Sequence, residues 1–190
     1  MMRSLANQLA SEELTDEDLI SQIIRGDKNQ FRVLISRHKE KVRNLVYLTI
    51  GNADNVDDLA QEVFIKVYRK LDRFRGQSKF TTWLYRITVN HCKDELRKLK
   101  VRRIFDVFDR KQHEDIHAID GQDNFDTRER VRLALSKLPE KLRLPIVLKD
   151  IEGFGYQEIA GMLGCELGTV KSRIFRGRES LRQMLKPIVS

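Results

Sequence analysis

The sequence predicts an all-α protein in which two small helical domains are joined by a flexible acidic linker. Strand-like alternation of apolar and polar residues is scarce, whereas apolar residues recur at helical spacing along most of the chain. Only three prolines interrupt this pattern, at positions 139, 145 and 187. A length of 190 residues suits either one ordinary domain or two small ones.

The first domain is predicted at residues 16–103 and holds four helices. The first helix covers DEDLISQII and ends at Gly26, since glycine commonly closes a helix in a left-handed conformation. Asp27 and Gln30 resemble a capping box for a second helix, FRVLISRHKEKVRNLVYLTI, which stops at the following Gly-Asn pair. A third helix fills NVDDLAQEVFIKVYRKL, and a fourth begins after Gly76.

The linker is predicted at residues 104–126. Positions 106–126 hold seven acidic residues against two basic ones, and their apolar residues show no sustained period. Such a composition forms no core and extends by self-repulsion. The second domain then covers residues 127–187, with helices predicted at RERVRLALSKL, EKLRLPIVLKDI, YQEIAGML and GTVKSRIFRGRESLRQML.

Charge and cysteine content narrow the class of partner. The 36 Lys and Arg residues exceed the 28 Asp and Glu residues, for a net charge of +8, which favours a polyanion such as nucleic acid or an anionic membrane face. Cys92 and Cys165 form no disulfide or zinc motif, so we expect a reduced, cytosolic protein. The N-terminal stretch has no signal-peptide core, and no apolar run is long enough to span a membrane.

The stretch YQEIAGMLGCELGTVKSRIFRGRESLR is typical of a helix-turn-helix. Gly164 falls where the tight turn needs a positive φ, and Thr169 is the predicted N-cap of the second helix. A helical wheel puts one apolar stripe on that helix. Its members are Val170, Ile174, Gly177, Leu181, Met184 and Leu185.

Four residues of the second helix lie outside this stripe in its first two turns: Lys171, Ser172, Phe175 and Arg176. A recognition helix presents this part to base edges in the major groove, where Arg and Lys donate to guanine and a phenyl ring contacts a thymine methyl. The alternative is a basic amphipathic helix that only packs, and Phe175 could instead cover a neighbouring helix or a protein partner. Phosphates are the expected partners of Arg173, Arg178, Arg182 and Lys186.

The outer face of the third helix is polar except for Ile65. Its polar members are Asp58, Gln61, Glu62 and Arg69. An apolar residue within a polar face indicates a surface that contacts another protein. Single exposed apolar residues are also common, and the pattern alone does not decide between the two.

The fourth helix has two apolar faces separated by a narrow polar ridge. Arg86, Asn90, Lys93 and Arg97 are spaced four, three and four residues apart, so they line up along one side. Cations that hold a backbone, with an amide and aromatic rings nearby, suit a single strand with unstacked bases. Trp83 borders the ridge and either packs in the core, as most large aromatics do, or stacks on bases.

Three stretches, in this order, resemble bacterial RNA polymerase sigma factors of the extracytoplasmic-function (ECF) group, sigma-E type. They are DDLAQEVFIKVY, FRGQSKFTTWLYRITVN and LPEKLRLPIVLKDIEGFGYQEIAGMLGCELGTVKSRIFRGRESLR. The resemblance extends from about residue 17 to 185. It implies a sigma-2 helical bundle and a sigma-4 helix-turn-helix in a protein that binds core polymerase and directs promoter-specific initiation, without catalysis and without a cofactor.

The resemblance also implies a role for each surface. The first domain would bind the clamp helices of the polymerase β′ subunit through Asp58, Gln61, Glu62 and Ile65. The loop that starts at Phe74 and the helix after it would read the −10 element as a melted strand, with Phe74 and Asn90 around one flipped base. The ridge adds Arg86, Lys93 and Arg97 to this −10 set.

In the second domain, the resemblance implies contacts to the β flap and to the −35 major groove. The −35 set is Lys149, Thr169, Lys171, Ser172, Phe175 and Arg176. Family members often have arginine where Lys171 stands, and a lysine supplies a point charge instead of a bidentate fork. The remaining implied partner is an anti-sigma factor, which would hold a cytoplasmic protein at the inner membrane without any direct insertion of this chain.

Two other functions are compatible with parts of the sequence. HEDIH, at residues 113–117, matches the H-E-x-x-H zinc motif, but it lies in an acidic segment without an apolar face, so no metal site is predicted. A regulator that binds duplex DNA without polymerase would explain the helix-turn-helix. It would leave the basic ridge and the Ile65 face without a role.

Overall fold

The computed structural model describes residues 14–51, 55–109 and 127–186. Within these ranges the ordered elements are helices and no strand occurs, so the all-α prediction is confirmed. None of the helices in them is long and apolar enough to cross a membrane. The HEDIH motif and most of the predicted linker lie outside the described residues.

Local capping sets the ends of the first two helices. Helix α1 (Asp16–Ile24) begins with a capping box between Thr15 and Asp18, which the sequence analysis missed, and is followed by Gly26 with φ 110°. Helix α2 spans Asn29–Ile50. The predicted cap at Asp27 and Gln30 is present with different hydrogen bonds from those of a capping box. The Asp27 carboxylate accepts a hydrogen bond from the Asn29 backbone N–H and another from the Gln30 side-chain amide, each at 3.1 Å.

Helix α3 (Val56–Lys70) continues into a 3₁₀ turn at Leu71–Arg73, and helix α4 spans Phe80–Asp109. Residues 104–109, which were predicted as the start of the linker, are therefore helical. The sequence IFDVF at positions 104–108 retains apolar spacing of one and four residues, and this spacing can continue a helix.

The chain divides into two compact units, Met1–Tyr47 with Asn52–Val89 and Leu48–Gly51 with Asn90–Ser190. The core of the first unit consists of aliphatic residues from α1 to α4, including Leu19, Leu34, Leu45, Val63 and Leu84. An aromatic cluster extends this core: the Phe80 ring lies 5.7 Å from the Phe74 ring and 5.9 Å from the Trp83 ring.

Helices α5 (Thr127–Lys137), α6 (Glu140–Ile146), α7 (Tyr156–Leu163) and α8 (Leu167–Leu185) belong to the second unit. The sequence predicted one regular helix over EKLRLPIVLKDI, but the backbone widens to a π-helical turn at Val147–Ile151. Pro145 lies just before this turn and lacks the N–H that a regular α-helix would bond four residues back. The core here includes Leu135, Leu144, Leu148, Ile159 and Ile174.

Candidate nucleic-acid interface

Helices α7 and α8 form the predicted helix-turn-helix. Gly164 ends α7 in the left-handed region at φ 64° and ψ 46°, as predicted, and the next backbone N–H donates to the Ala160 carbonyl at 3.1 Å. The prediction of Thr169 as N-cap is wrong. Glu166 occupies the cap with extended backbone angles and no side-chain hydrogen bond, so α8 begins at Leu167 and Thr169 lies within its first turn.

The apolar stripe of α8 packs mainly along the first half of the helix. Val170, Ile174 and Gly177 are buried, whereas the side chains nearer the C-terminus are less covered and Met184 is 40% exposed. The sequence therefore predicted the buried face correctly but extended it too far. Gly177 permits the close approach of α6, because a Cβ there would overlap the Ile146 side chain and lie 3.4 Å from the Leu142 carbonyl.

The face of α8 opposite this stripe exposes four of the six predicted −35 residues, whereas Thr169 is half-buried. Lys171, Ser172, Phe175 and Arg176 are all exposed, and the Phe175 ring is 68% exposed. Phe175 is thus not buried against another helix within the described residues. The Ser172 hydroxyl donates to the Thr169 carbonyl at 3.0 Å and keeps its lone pairs for an incoming donor.

Two cations beside this face are held by other groups. The Lys149 ammonium donates to the Phe154 carbonyl at 3.3 Å and lies 5.0 Å from the centroid of the Tyr156 ring. Arg178, expected to meet phosphate, forms a two-point ion pair with Asp150, with its Nε 3.0 Å from Oδ2. The hydrogen bond to Asp150 raises the pKa of the Arg178 guanidinium. Sequence reasoning missed this pair.

The ridge on α4 is confirmed as a polar line along one helix, but its members differ in exposure. Arg86, Asn90 and Arg97 are exposed, and Arg97 pairs with Asp94 at 3.3 Å. Lys93 is half-buried, and its ammonium donates to the carbonyl of the last residue of α7 at 3.1 Å. Burial lowers the pKa of Lys93. Three of the four polar side chains of the ridge are therefore exposed to solvent.

Trp83 belongs to the core. Only 9% of the residue is exposed, and its ring lies 5.4 Å from the ring of Phe74. The packing interpretation is thus confirmed over base stacking by Trp83 itself. Phe74 is half-buried, so one part of its ring is held in place while another part reaches solvent.

The outer face of α3 exposes the residues predicted to bind polymerase: Asp58, Gln61, Glu62 and Ile65. Ile65 is 51% exposed. Sequence reasoning missed a groove of about 530 Å³ beside it, which Gln61 and Ile65 line together with Phe31 and Tyr68. The two aromatic rings lie 4.8 Å apart. Ile65 is therefore part of a continuous apolar groove and is not an isolated exposed residue.

Comparison with known proteins agrees with this arrangement. A family model described as Sigma-70 region 2 matches residues 34–102, and one described as Sigma-70, region 4 matches residues 128–181. The ECF RNA polymerase sigma-E factor of Escherichia coli (strain K12) is 39% identical over 189 residues, covering 94% of this chain and 98% of that protein.

Two solved structures are also similar. The sigma factor RpoE in complex with the anti-sigma factor NepR from Bartonella quintana has a TM-score of 0.68 and 27% identity, over 84% of this chain and 98% of that one. CnrH in complex with the cytosolic domain of CnrY has a TM-score of 0.63 and 25% identity, over 90% of this chain and 96% of that one.

A region-2 module followed by a region-4 helix-turn-helix defines a sigma-70-type transcription initiation factor. With 39% identity across almost its whole length, the chain belongs to the ECF sigma factors of the sigma-E type. The resemblance in the sequence is thus confirmed, and so is its implied function of promoter-specific initiation. Sigma factors are non-enzymatic, so the prediction that the chain is not an enzyme is confirmed as well.

Proposed function

We propose that this chain acts as a sigma factor through three surfaces: one for the −35 element, one for the −10 element and one for core polymerase. These surfaces lie on two domains. Residues 16–103 bind core polymerase and the −10 element, residues 127–187 bind the −35 element, and residues 104–126 link them. The observation that carries this proposal is the helix-turn-helix in which Lys171, Ser172, Phe175 and Arg176 are exposed on one side of α8 while Val170, Ile174 and Gly177 pack on the other.

The −35 element is read in the major groove by the N-terminal half of α8. Arg176 donates to a guanine, Phe175 contacts a thymine methyl, and Ser172 accepts or donates at a base edge. Thr169 and Lys149 flank these residues and contact the backbone. The exposure of the four central side chains supports this assignment, because base edges are reached only by side chains that project from the protein.

The −10 element is read as a melted strand along α4. Arg86, Lys93 and Arg97 hold the phosphates, while Asn90 and Phe74 bind one unstacked base. The exposed amide of Asn90 between cations and the partly exposed Phe74 ring support this assignment. Lys93 joins the set by giving up its hydrogen bond to the end of α7.

The α3 face binds the clamp helices of the β′ subunit. Asp58, Gln61 and Glu62 provide hydrogen-bond acceptors and charge, and Ile65 provides apolar area beside the groove with Tyr68. The second domain meets the β flap. Because RpoE of Bartonella quintana was solved with an anti-sigma factor, we also propose that an anti-sigma factor controls this chain and holds it at the inner membrane.

Run-off transcription with purified core polymerase on a promoter library tests the proposal. We expect transcripts only when the chain is added, with enriched −10 and −35 sequences. DNA binding with no transcription from any promoter would overturn it in favour of a regulator that acts without polymerase.

A further inference from the structure

A second cavity lies entirely within the second unit, and none of its lining residues belongs to the predicted promoter-binding or polymerase-binding sets. Its volume is about 530 Å³, within the range of small-molecule sites. Its lining combines the apolar side chains of Ile50, Leu96 and Leu99 with the basic side chains of Lys100, Lys141 and Arg143. A cavity of this size with both apolar and basic lining suits a small amphiphilic molecule better than a flat macromolecular surface.

Arg143 is the residue that makes this cavity unusual. It is only 6% exposed, and its Nη1 donates to the Ser136 carbonyl at 3.2 Å. Its Nε is buried and has no hydrogen-bond partner in the part of the chain that the structure describes. A buried guanidinium stays charged and presents five donors, so burial leaves the Nε donor of this side chain without the partner that it normally requires.

The neighbouring groups do not supply the missing anion. Burial raises the pKa of the Cys92 thiol to about 12, so it is uncharged at neutral pH. Glu140 interacts with Arg143 through its charge, but its carboxylate forms an ion pair with Lys100 at 3.7 Å. The cavity is therefore lined by three cations and a single carboxylate that is already paired, which leaves an excess of positive charge.

We propose that this cavity binds a small organic anion, whose anionic head pairs with Arg143 and whose apolar body lies against Leu96 and Leu99. The head accepts hydrogen bonds from the guanidinium, which a carboxylate or phosphate does in a bidentate manner. Lys100 and Lys141 also line the cavity, and their charges attract the anion although both side chains are exposed. The proposal does not depend on how the chain recognises promoters.

Calorimetric titration of the full-length chain at fixed ionic strength tests this site, with phenyl phosphate, inorganic phosphate and benzyl alcohol as probes. We expect phenyl phosphate to saturate one site per chain. Inorganic phosphate, which lacks the apolar body, binds at least tenfold more weakly, and benzyl alcohol, which lacks the charge, gives no saturable heat. The absence of a saturable site for phenyl phosphate, or equal affinity for inorganic phosphate, overturns the proposal.

Variants then locate the binding. Arg143→Met keeps the side-chain volume and removes the charge, and we expect it to weaken phenyl phosphate binding at least tenfold. Arg132→Met, an exposed arginine of the same unit, is the matched control and leaves binding unchanged. A folded Arg143→Met protein with wild-type affinity places the binding elsewhere and overturns the proposal.

A second variant covers the case in which Arg143→Met loses helical content by circular dichroism. Leu99→Glu introduces a carboxylate at the cavity wall, on a helix surface that tolerates charge because Leu99 is already partly exposed. We expect the same tenfold loss from like-charge repulsion with the ligand. Unchanged affinity in this variant also overturns the proposal.

Discussion

Arg176 and Arg178 lie two positions apart on α8 but in different electrostatic situations. The Arg178 guanidinium is engaged by Asp150 at two points, so contact with a phosphate would require it to leave a carboxylate. Arg176 is exposed, and no ion pair joins it to any residue in the described ranges. A guanidinium without a competing carboxylate is the better donor to a guanine edge.

Replacement of Arg176 by alanine should weaken binding of a −35 duplex by about 1–3 kcal/mol and relax base preference at one position, because it removes the bidentate base contact that we propose for this side chain. Fluorescence anisotropy against a panel of −35 variants measures both effects. Arg182→Ala is the control, since Arg182 lies farther along the same helix and pairs with Glu179 at 2.7 Å. It should lower affinity for every sequence alike. Unaltered base preference in Arg176→Ala would remove its role in reading bases.

Asn90→Ala should impair use of the −10 element and leave polymerase binding intact. The Asn90 side chain is exposed on the ridge of α4, so the substitution removes the amide that we propose to read a base and does not disturb the core. Open-complex formation on promoters with altered −10 sequences measures the first effect, and co-elution with core polymerase measures the second. A variant that unfolds instead would show that the role of Asn90 is structural.

Sequence alone predicted which side chains in the first half of α8 reach solvent, because exposure there follows from the helical period. It could not predict the partners of Arg178 and Lys93. Asp150 lies 28 positions from Arg178, and the Leu163 carbonyl lies 70 positions from Lys93. Such pairs depend on how separate helices pack together. A helical-wheel projection describes one helix and gives no information about this packing.

At the scale of elements, the crossing of α6 and α8 depends on a residue without a side chain. Gly177→Ala should destabilise the second unit by about 1–3 kcal/mol, because a new methyl group enters space that Ile146 occupies. Gly161→Ala is the matched control on α7, where a Cβ meets no atom within 4 Å, and it should stabilise the protein by about 0.5–1 kcal/mol. Thermal unfolding followed by circular dichroism compares the two. Equal effects would contradict close packing at Gly177.

The stabilising contact between α1 and α2 at Asp16 should be lost in acid. His38 Nε2 lies 2.7 Å from one oxygen of Asp16, and Arg37 donates to the other at 3.1 Å. Burial raises the pKa of the Asp16 carboxyl, but the hydrogen bonds and charges of His38 and Arg37 outweigh this effect and lower it below the usual 3.8. The stabilisation is therefore fully present above pH 3.8 and is lost as the pH falls through the lower folded-state value.

Asp16→Asn should destabilise the protein at pH 7 by about 1 kcal/mol, since the carboxylate is partly exposed. The difference from wild type should shrink as the pH falls below about 4, where the wild-type carboxyl also becomes neutral. Urea unfolding at a series of pH values measures it. Glu17→Gln removes the same charge from an exposed neighbour and should have little effect at any pH. A difference that persists undiminished at the lowest pH would exclude the Asp16 charge as its source.

Helix ends were predictable where a glycine or a cap gave a local signal, as at Gly26 and Gly164. The start of α8 was not predictable in this way. Glu166 occupies the N-cap position without a side-chain hydrogen bond, whereas Thr169 is a residue type that favours this position but lies inside the helix. The π-helical turn after Pro145 was missed for a different reason. Hydrophobic spacing hardly distinguishes a helix of 3.6 residues per turn from one that widens for a single turn.

At the scale of the whole molecule, the order of modules was readable because each carries its own motif. The third and fourth helices and the helix-turn-helix are separate sequence signals, and the family models match the corresponding ranges 34–102 and 128–181. The cavity beside Arg143 and the groove beside Ile65 could not be predicted from the sequence. Each collects side chains from separate segments of the chain, and only packing brings Arg143 beside Leu96 or Phe31 beside Ile65.

The exposed ring of Phe175 has a thermodynamic consequence for whatever covers it. Removal of apolar surface from water lowers the heat capacity of the system, whereas contacts made only between cations and phosphates bury little such surface. The enthalpy of duplex binding should therefore become more negative with rising temperature when the ring meets a thymine methyl. Phe175→Ala should flatten that temperature dependence even where the affinity at one temperature changes little.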